Sequence, residues 1–103
     1  MAVAEVPAVS LDDVVCVAPT QVSSQVGDEV AILHMDKAVY YGLNPVGARI
    51  WQLVQKPVAV RKVLETLLEE YDVDPETAQR DLLEIVEQLM AAGLVERRDA
   101  SAP

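Results

Sequence analysis

Residues 38–51 read AVYYGLNPVGARIW, and the pattern changes period at Asn44-Pro45. Ahead of that pair, Val39-Tyr40-Tyr41 is β-branched and aromatic, the composition of a strand. Behind it, Val46, Ile50, Leu53 and Val54 fall on one helical stripe. Asn44 is a good N-cap, because its side chain can accept from a free amide of the first turn. Pro45 suits the first helical position, where an N–H would have no partner anyway.

Strand signals fill the chain before this point. Val14-Val15-Cys16-Val17 is short and β-branched and stops at Pro19. Residues 20–26 alternate weakly, with Val22 and Val26 in phase. Gly27-Asp28 reads as a two-residue turn, residues 29–35 (EVAILHM) as the next strand, Asp36-Lys37 as a second tight turn, and residues 38–43 as the returning strand. Short runs joined by tight turns predict a three-stranded antiparallel meander within residues 20–43.

Helix signals fill the rest. Pro45 to Gln55 is the first helix, ended by Lys56-Pro57. Val60, Val63, Leu64, Leu67, Leu68 and Tyr71 mark the second, over residues 59–71. Asp74-Pro75 repeats the cap-plus-proline start, with Glu76 facing the positive helix end. The third helix, residues 75–92, is read as burying Ala78, Leu82, Ile85, Val86 and Leu89, and Gly93 is placed to stop it. Strands followed by helices give an α+β fold, a three-stranded antiparallel sheet followed by three helices. The chain divides into a flexible N-terminal arm at 1–11, one domain at 12–98 and a disordered tail at 99–103.

Charge limits the partners. The chain carries 17 acidic against 8 basic residues, a net charge of -9, which argues against DNA, RNA or an anionic membrane surface. Residues 49–62 hold four basic side chains and no acidic one, while residues 65–87 hold nine acidic and only Arg80 basic. No apolar run is long enough to span a bilayer. The N-terminus lacks the basic and apolar regions of a secretion signal. With one cysteine, Cys16, no disulfide can form within the chain. The reading is a cytoplasmic protein.

Catalytic groups are sparse. His34, the single histidine, shares a strand face with Val30 and Ile32 and reads as a packed residue. One His and one Cys do not make a zinc site. Cys16 lies among valines, where it acts as a small apolar residue. The four glycines form no phosphate-binding loop. The expectation is a non-enzyme with no metal and no cofactor.

What remains is a surface. The turn at Asp36-Lys37 sets Met35 opposite Ala38, Leu33 opposite Tyr40 and Ile32 opposite Tyr41. One face then carries Val30, Ile32, His34, Val39, Tyr41 and Leu43, and the other Ala31, Leu33, Met35, Ala38, Tyr40 and Gly42. The helices can cover one face only. Residues 38–43 also lack the charge, proline or bulge that usually protects an edge strand, so they are a template for a peptide added as a further strand. A second apolar stripe on the third helix, Leu83, Val86 and Met90 with Glu84 and Glu87 beside it, is the candidate opposite wall.

The segments YGLNPVGARIWQLVQ and LLEEYDVDPETAQRDLLEIVEQLMAAGLVE resemble the PqqD-like family of RiPP recognition elements. The resemblance spans about residues 20–96. It implies a winged helix-turn-helix-like domain that binds, without catalysis, the leader of a ribosomally synthesised precursor peptide. The leader adds to the third strand in a groove shared with the third helix. Carried onto this chain, the peptide-binding residues are Val39, Tyr40, Tyr41, Gly42 and Leu43, with Leu83, Val86, Glu87 and Met90 opposite. The resemblance further implies a stand-alone peptide chaperone. It would present the precursor to a separate leader peptidase, with a cyclase acting later, and it is more like the lasso peptide type than the pyrroloquinoline quinone type. The competing readings are a strand-paired dimerisation module using the same edge and a winged-helix DNA-binding protein. The acidic third helix argues against the latter.

Overall fold

The computed structural model describes residues 9–19 and 21–98. Nine elements follow in order: β1 (Val14–Val17), β2 (Gln21–Val26), β3 (Glu29–His34), β4 (Val39–Leu43), α1 (Pro45–Leu53), β5 (Val58–Ala59), α2 (Val60–Glu70), α3 (Pro75–Ala91) and β6 (Val95–Arg98). The expected meander is β2-β3-β4, antiparallel throughout. The three expected helices follow it.

Register in the meander follows the side-chain pattern. Ile32 pairs with Tyr41, Leu33 with Tyr40 and Val30 with Leu43. Val30, Ile32 and His34 are buried beneath the sheet, whereas Tyr40 on the outer face is 74% exposed. The connection between β3 and β4 is longer than the two residues expected. Both strands stop one residue earlier, and residues 35–38 form the turn. Ala38 closes it by taking a left-handed conformation, φ 55°, and donating its N–H to the His34 carbonyl at 2.7 Å. Trimming one residue from each strand leaves every remaining pair unchanged.

The helix ends obey their local chemistry. The Asn44 side chain accepts from Gly47 N at 2.8 Å, and the Asp74 side chain accepts from Thr77 N at 3.0 Å. At the end of α3, Gly93 (φ 79°) donates its N–H to the Met90 carbonyl, and Leu94 donates to Leu89, the paired bonds of a Schellman stop. Leu94 is driven fully into the core. Helix α2 has no capping side chain. Its first amides are satisfied by tertiary contacts instead: Val60 N donates to the Asp13 carbonyl and Arg61 N to the Leu11 carbonyl, each at 2.9 Å.

A second sheet, not anticipated from the pattern, has the order β5-β1-β6. β1 is its centre, with Val14 opposite both Ala59 and Arg98. It ties the N-terminal strand to the start of α2 and to the chain after α3. Of residues 9–11, expected within a flexible arm, Val9 is buried and Leu11 lies against the core, while Ser10 is exposed. The rest of the expected arm, residues 1–8, and the expected tail, 99–103, lie outside the described residues. The core itself gathers Val15, Ile32, Ile50, Val54, Val60, Val63, Leu82, Val86 and Leu94, all fully buried. Burial of each such side chain contributes about 1.5–3 kcal/mol.

Candidate functional site

Strand β4 has one hydrogen-bonded neighbour, β3. Its other edge is open among the described residues. In an antiparallel ladder every second residue turns its N–H and C=O away from the existing partner. The β4 edge therefore offers a row of backbone donors and acceptors to a new strand. No charged residue or proline interrupts it.

The core also stops short of this edge. On the inner face, Ile32 is fully buried, but its partner Tyr41 is only half-buried, and Val39 is 42% exposed. The gap is an open cleft of about 430 Å³ between β4 and α3. Tyr41, Gly42, Leu43 and Asn44 form one side. Ile85, Gln88, Leu89 and Ala92 form the α3 side, with Gly47 at the end. Those four α3 positions lie on one helix face.

The α3 side is not the stripe singled out from the sequence. Leu83 stands elsewhere on α3, beside Glu76, Gln79 and Arg80. Val86 is fully buried in the core, and Met90 is half-buried against it. Glu87 is turned toward the N-terminal chain, where its Oε2 accepts from Val9 N at 3.1 Å. None of the four lines the cleft. Of the five β4 residues expected in the site, Tyr41, Gly42 and Leu43 line it. Val39 lies on the same sheet face as Tyr41 and Leu43, and Tyr40 on the opposite one. Ile85 and Leu89 carried a helical signal but read as core. Gln88 is polar, and Ala92 stood only as the last residue of the helix.

A second, narrower cavity adjoins the first. It lies between α1, the end of α2 and the N-terminal half of α3, encloses about 180 Å³, and shares Ile85 with the cleft. An ion pair spans two of its helices. Arg49 of α1 meets Glu70 of α2 through Nε–Oε1 at 2.8 Å and Nη2–Oε2 at 2.6 Å. The Arg49 hydrogen bonds hold the Glu70 carboxyl below its usual range, and the same bonds hold the Arg49 guanidinium above its own.

Among the described residues no group of three or more His, Cys, Asp or Glu could hold a metal ion, and no helix is long and apolar enough to cross a membrane. His34 is buried, and its Nδ1 accepts from Lys37 N at 3.3 Å. It shapes the turn that leads into β4.

Residues 29–95 match the family model described as Coenzyme PQQ synthesis protein D (PqqD), a span that begins with β3 and ends as β6 starts. The chain belongs to the PqqD family. The solved structure of TbiB1 in complex with the TbiA(beta) leader peptide is 32% identical, with a TM-score of 0.75 over 85% of this chain and 99% of that one. A structure of lasso peptide synthetase B1 complexed with the leader peptide is 24% identical, with a TM-score of 0.71 over 80% of this chain and 96% of that one. At that identity it speaks to the fold alone. No curated protein matches the chain. For this PqqD-family member the open β4 edge and the cleft at α3 lie within the matched span.

Proposed function

We propose that this protein binds the leader region of a ribosomally synthesised precursor peptide, in a lasso peptide pathway, as a fourth strand antiparallel to β4. Leader side chains facing inward would enter the cleft between β4 and α3. The chain is a presenter of substrate and not the catalyst, and a separate leader peptidase acts on the peptide it holds. The observation that carries this reading is the coincidence of an unprotected strand edge with an apolar cleft beneath it. A relative that matches this chain over nearly all its own length was solved with a leader peptide, which supports the same reading.

The energetics are those of strand addition. Backbone hydrogen bonds along the edge supply affinity that does not depend on sequence, and alternate side chains supply selectivity. Duplex DNA is a poor alternative occupant. Helix α3 exposes Glu76, Asp81 and Glu84, and its one arginine, Arg80, lies 3.8 Å from Asp81. A helix entering a DNA groove needs the opposite charge.

The test is a titration of this protein with a labelled leader peptide of a lasso precursor, the TbiA(beta) leader bound by the 32% identical relative being one such probe. Amide NMR should show saturable binding, with the largest changes at residues 39–43 and at Ile85, Gln88 and Ala92. Binding that perturbs α2 or β6 and leaves β4 untouched would overturn the assignment.

A further inference from the structure

Strand β4 is matched to a second copy of itself. Residues 38–48 hold no charged side chain in a chain of net charge -9. The α3 side of the cleft, Ile85, Gln88, Leu89 and Ala92, is uncharged as well. Two copies brought together at this edge therefore set no like charges opposite each other. The strand is also apolar where it is exposed, at Val39 and Tyr40. An uncovered edge of this kind is a template for pairing with another chain.

Resting on the leader-binding reading only for the leader's place on the same edge, we propose that the leader-free protein pairs with a second copy of itself through β4, antiparallel about a two-fold axis at Tyr41, and that the leader binds by displacing that copy. Symmetry fixes the register. A two-fold axis normal to the sheet keeps the two inner faces on one side, so Val39, Tyr41 and Leu43 can oppose only one another, and Tyr40 and Gly42 likewise. The axis must then pass through a residue, and Tyr41 is the one choice that leaves all five residues of β4 paired. Val39 stands opposite the partner's Leu43, and Tyr40 opposite the partner's Gly42. A β-carbon on Gly42 would meet nothing within 4 Å, so the tyrosine ring has room to lie across that glycine and restore the packing a strand glycine lacks. Size sets the strength. Five residues a side are far fewer than the roughly 20–30 of a stable interface, so the pair is weak and exchanges readily. A leader has only this contact to displace, and until it does the edge is closed to other strands.

Sedimentation equilibrium of the full chain over about 0.01–1 mM, the span in which a contact this small forms, tests the pairing. The apparent mass should rise from 11.2 kDa toward twice that value. Saturating TbiA(beta) leader should return it to the mass of one chain with one peptide. A cross-link tests the register. In a Cys16→Ser background, Tyr41→Cys sets two thiols opposite each other at the axis, where facing Cα atoms stand about 4.5–5.5 Å apart, within disulfide reach. Under oxidation it should cross-link at least about tenfold faster than Val39→Cys, whose thiol faces the partner's Leu43. Circular dichroism checks folding, and the sedimentation series on the unaltered chain decides where Tyr41→Cys fails that control. A mass that stays at 11.2 kDa throughout, with the leader still binding, overturns the self-pairing and leaves the leader reading standing. A dimer that persists with the leader bound overturns the shared edge, and faster cross-linking of Val39→Cys overturns the axis at Tyr41.

Discussion

The imidazole of His34 lies against Gly93, with Nε2 3.1 Å from where a β-carbon on that glycine would stand. The contact joins the end of β3 to the stop of α3. A glycine is needed there twice over, for its left-handed φ of 79° and for this close approach.

Gly93→Ala should therefore destabilise the protein by about 1–2 kcal/mol from the backbone alone, with a further loss from the imidazole contact. Urea unfolding of Gly93→Ala, His34→Ala and the double variant separates the two. The contact part should vanish in the His34→Ala background. Equal costs in both backgrounds would mean that the imidazole moves aside freely.

The two apolar sides of α3 should respond differently to charge. Ile85→Glu places a carboxylate in the cleft, and desolvating it against a bound leader should cost about 3 kcal/mol, roughly a hundredfold in Kd. Leu83→Glu, on the side away from the cleft, should leave leader affinity within about threefold of the parent, corresponding to less than 1 kcal/mol. Fluorescence titration with circular dichroism as the folding control decides. The reverse ranking would return the binding wall to the Leu83 side.

Ala38 holds a φ of 55° without being a glycine. An L-residue pays about 1–2 kcal/mol there, partly offset by the greater freedom of an unfolded glycine. Ala38→Gly is expected to raise unfolding stability by up to about 1 kcal/mol. A loss of stability on denaturant unfolding would show that the methyl group packs usefully in the turn.

Stability should carry a trace of the Arg49–Glu70 pair. The folded-state pKa of Glu70 is depressed by its hydrogen bonds to Arg49. Its contribution is present above the ordinary carboxylate pKa and is lost as pH falls through the depressed value. The melting-temperature gap between the parent and Glu70→Gln should accordingly be widest near neutrality and close below about pH 4. A gap that does not change with pH would assign the effect to packing.

Much of this architecture was legible in the residues because it is decided locally. Asn44-Pro45 and Asp74-Pro75 start helices through bonds that span three residues, and Gly93 stops one in the same way. Pairing of β3 with β4 was legible too. Alternation put Val30, Ile32 and His34 on one face, and lengthening the turn symmetrically from two residues to four moved no pair.

What the residues could not decide alone was anything held by distant partners. β5 is two residues long and is a strand only because Val14 and Val15 reach it across more than forty positions. The face of α3 that borders the cleft is the same kind of case. The helix carries apolar residues at 82, 83, 85, 86, 89 and 90, which span about 160° of its circumference, wider than the stripe one packing partner needs. Periodicity cannot rank stripes of equal hydropathy. Packing ranks them: the core takes Leu82, Val86 and Leu89, the N-terminal chain docks at Glu87 through Val9, and half-buried Ile85 is left along the open side facing β4, with the edge of Leu89 beside it.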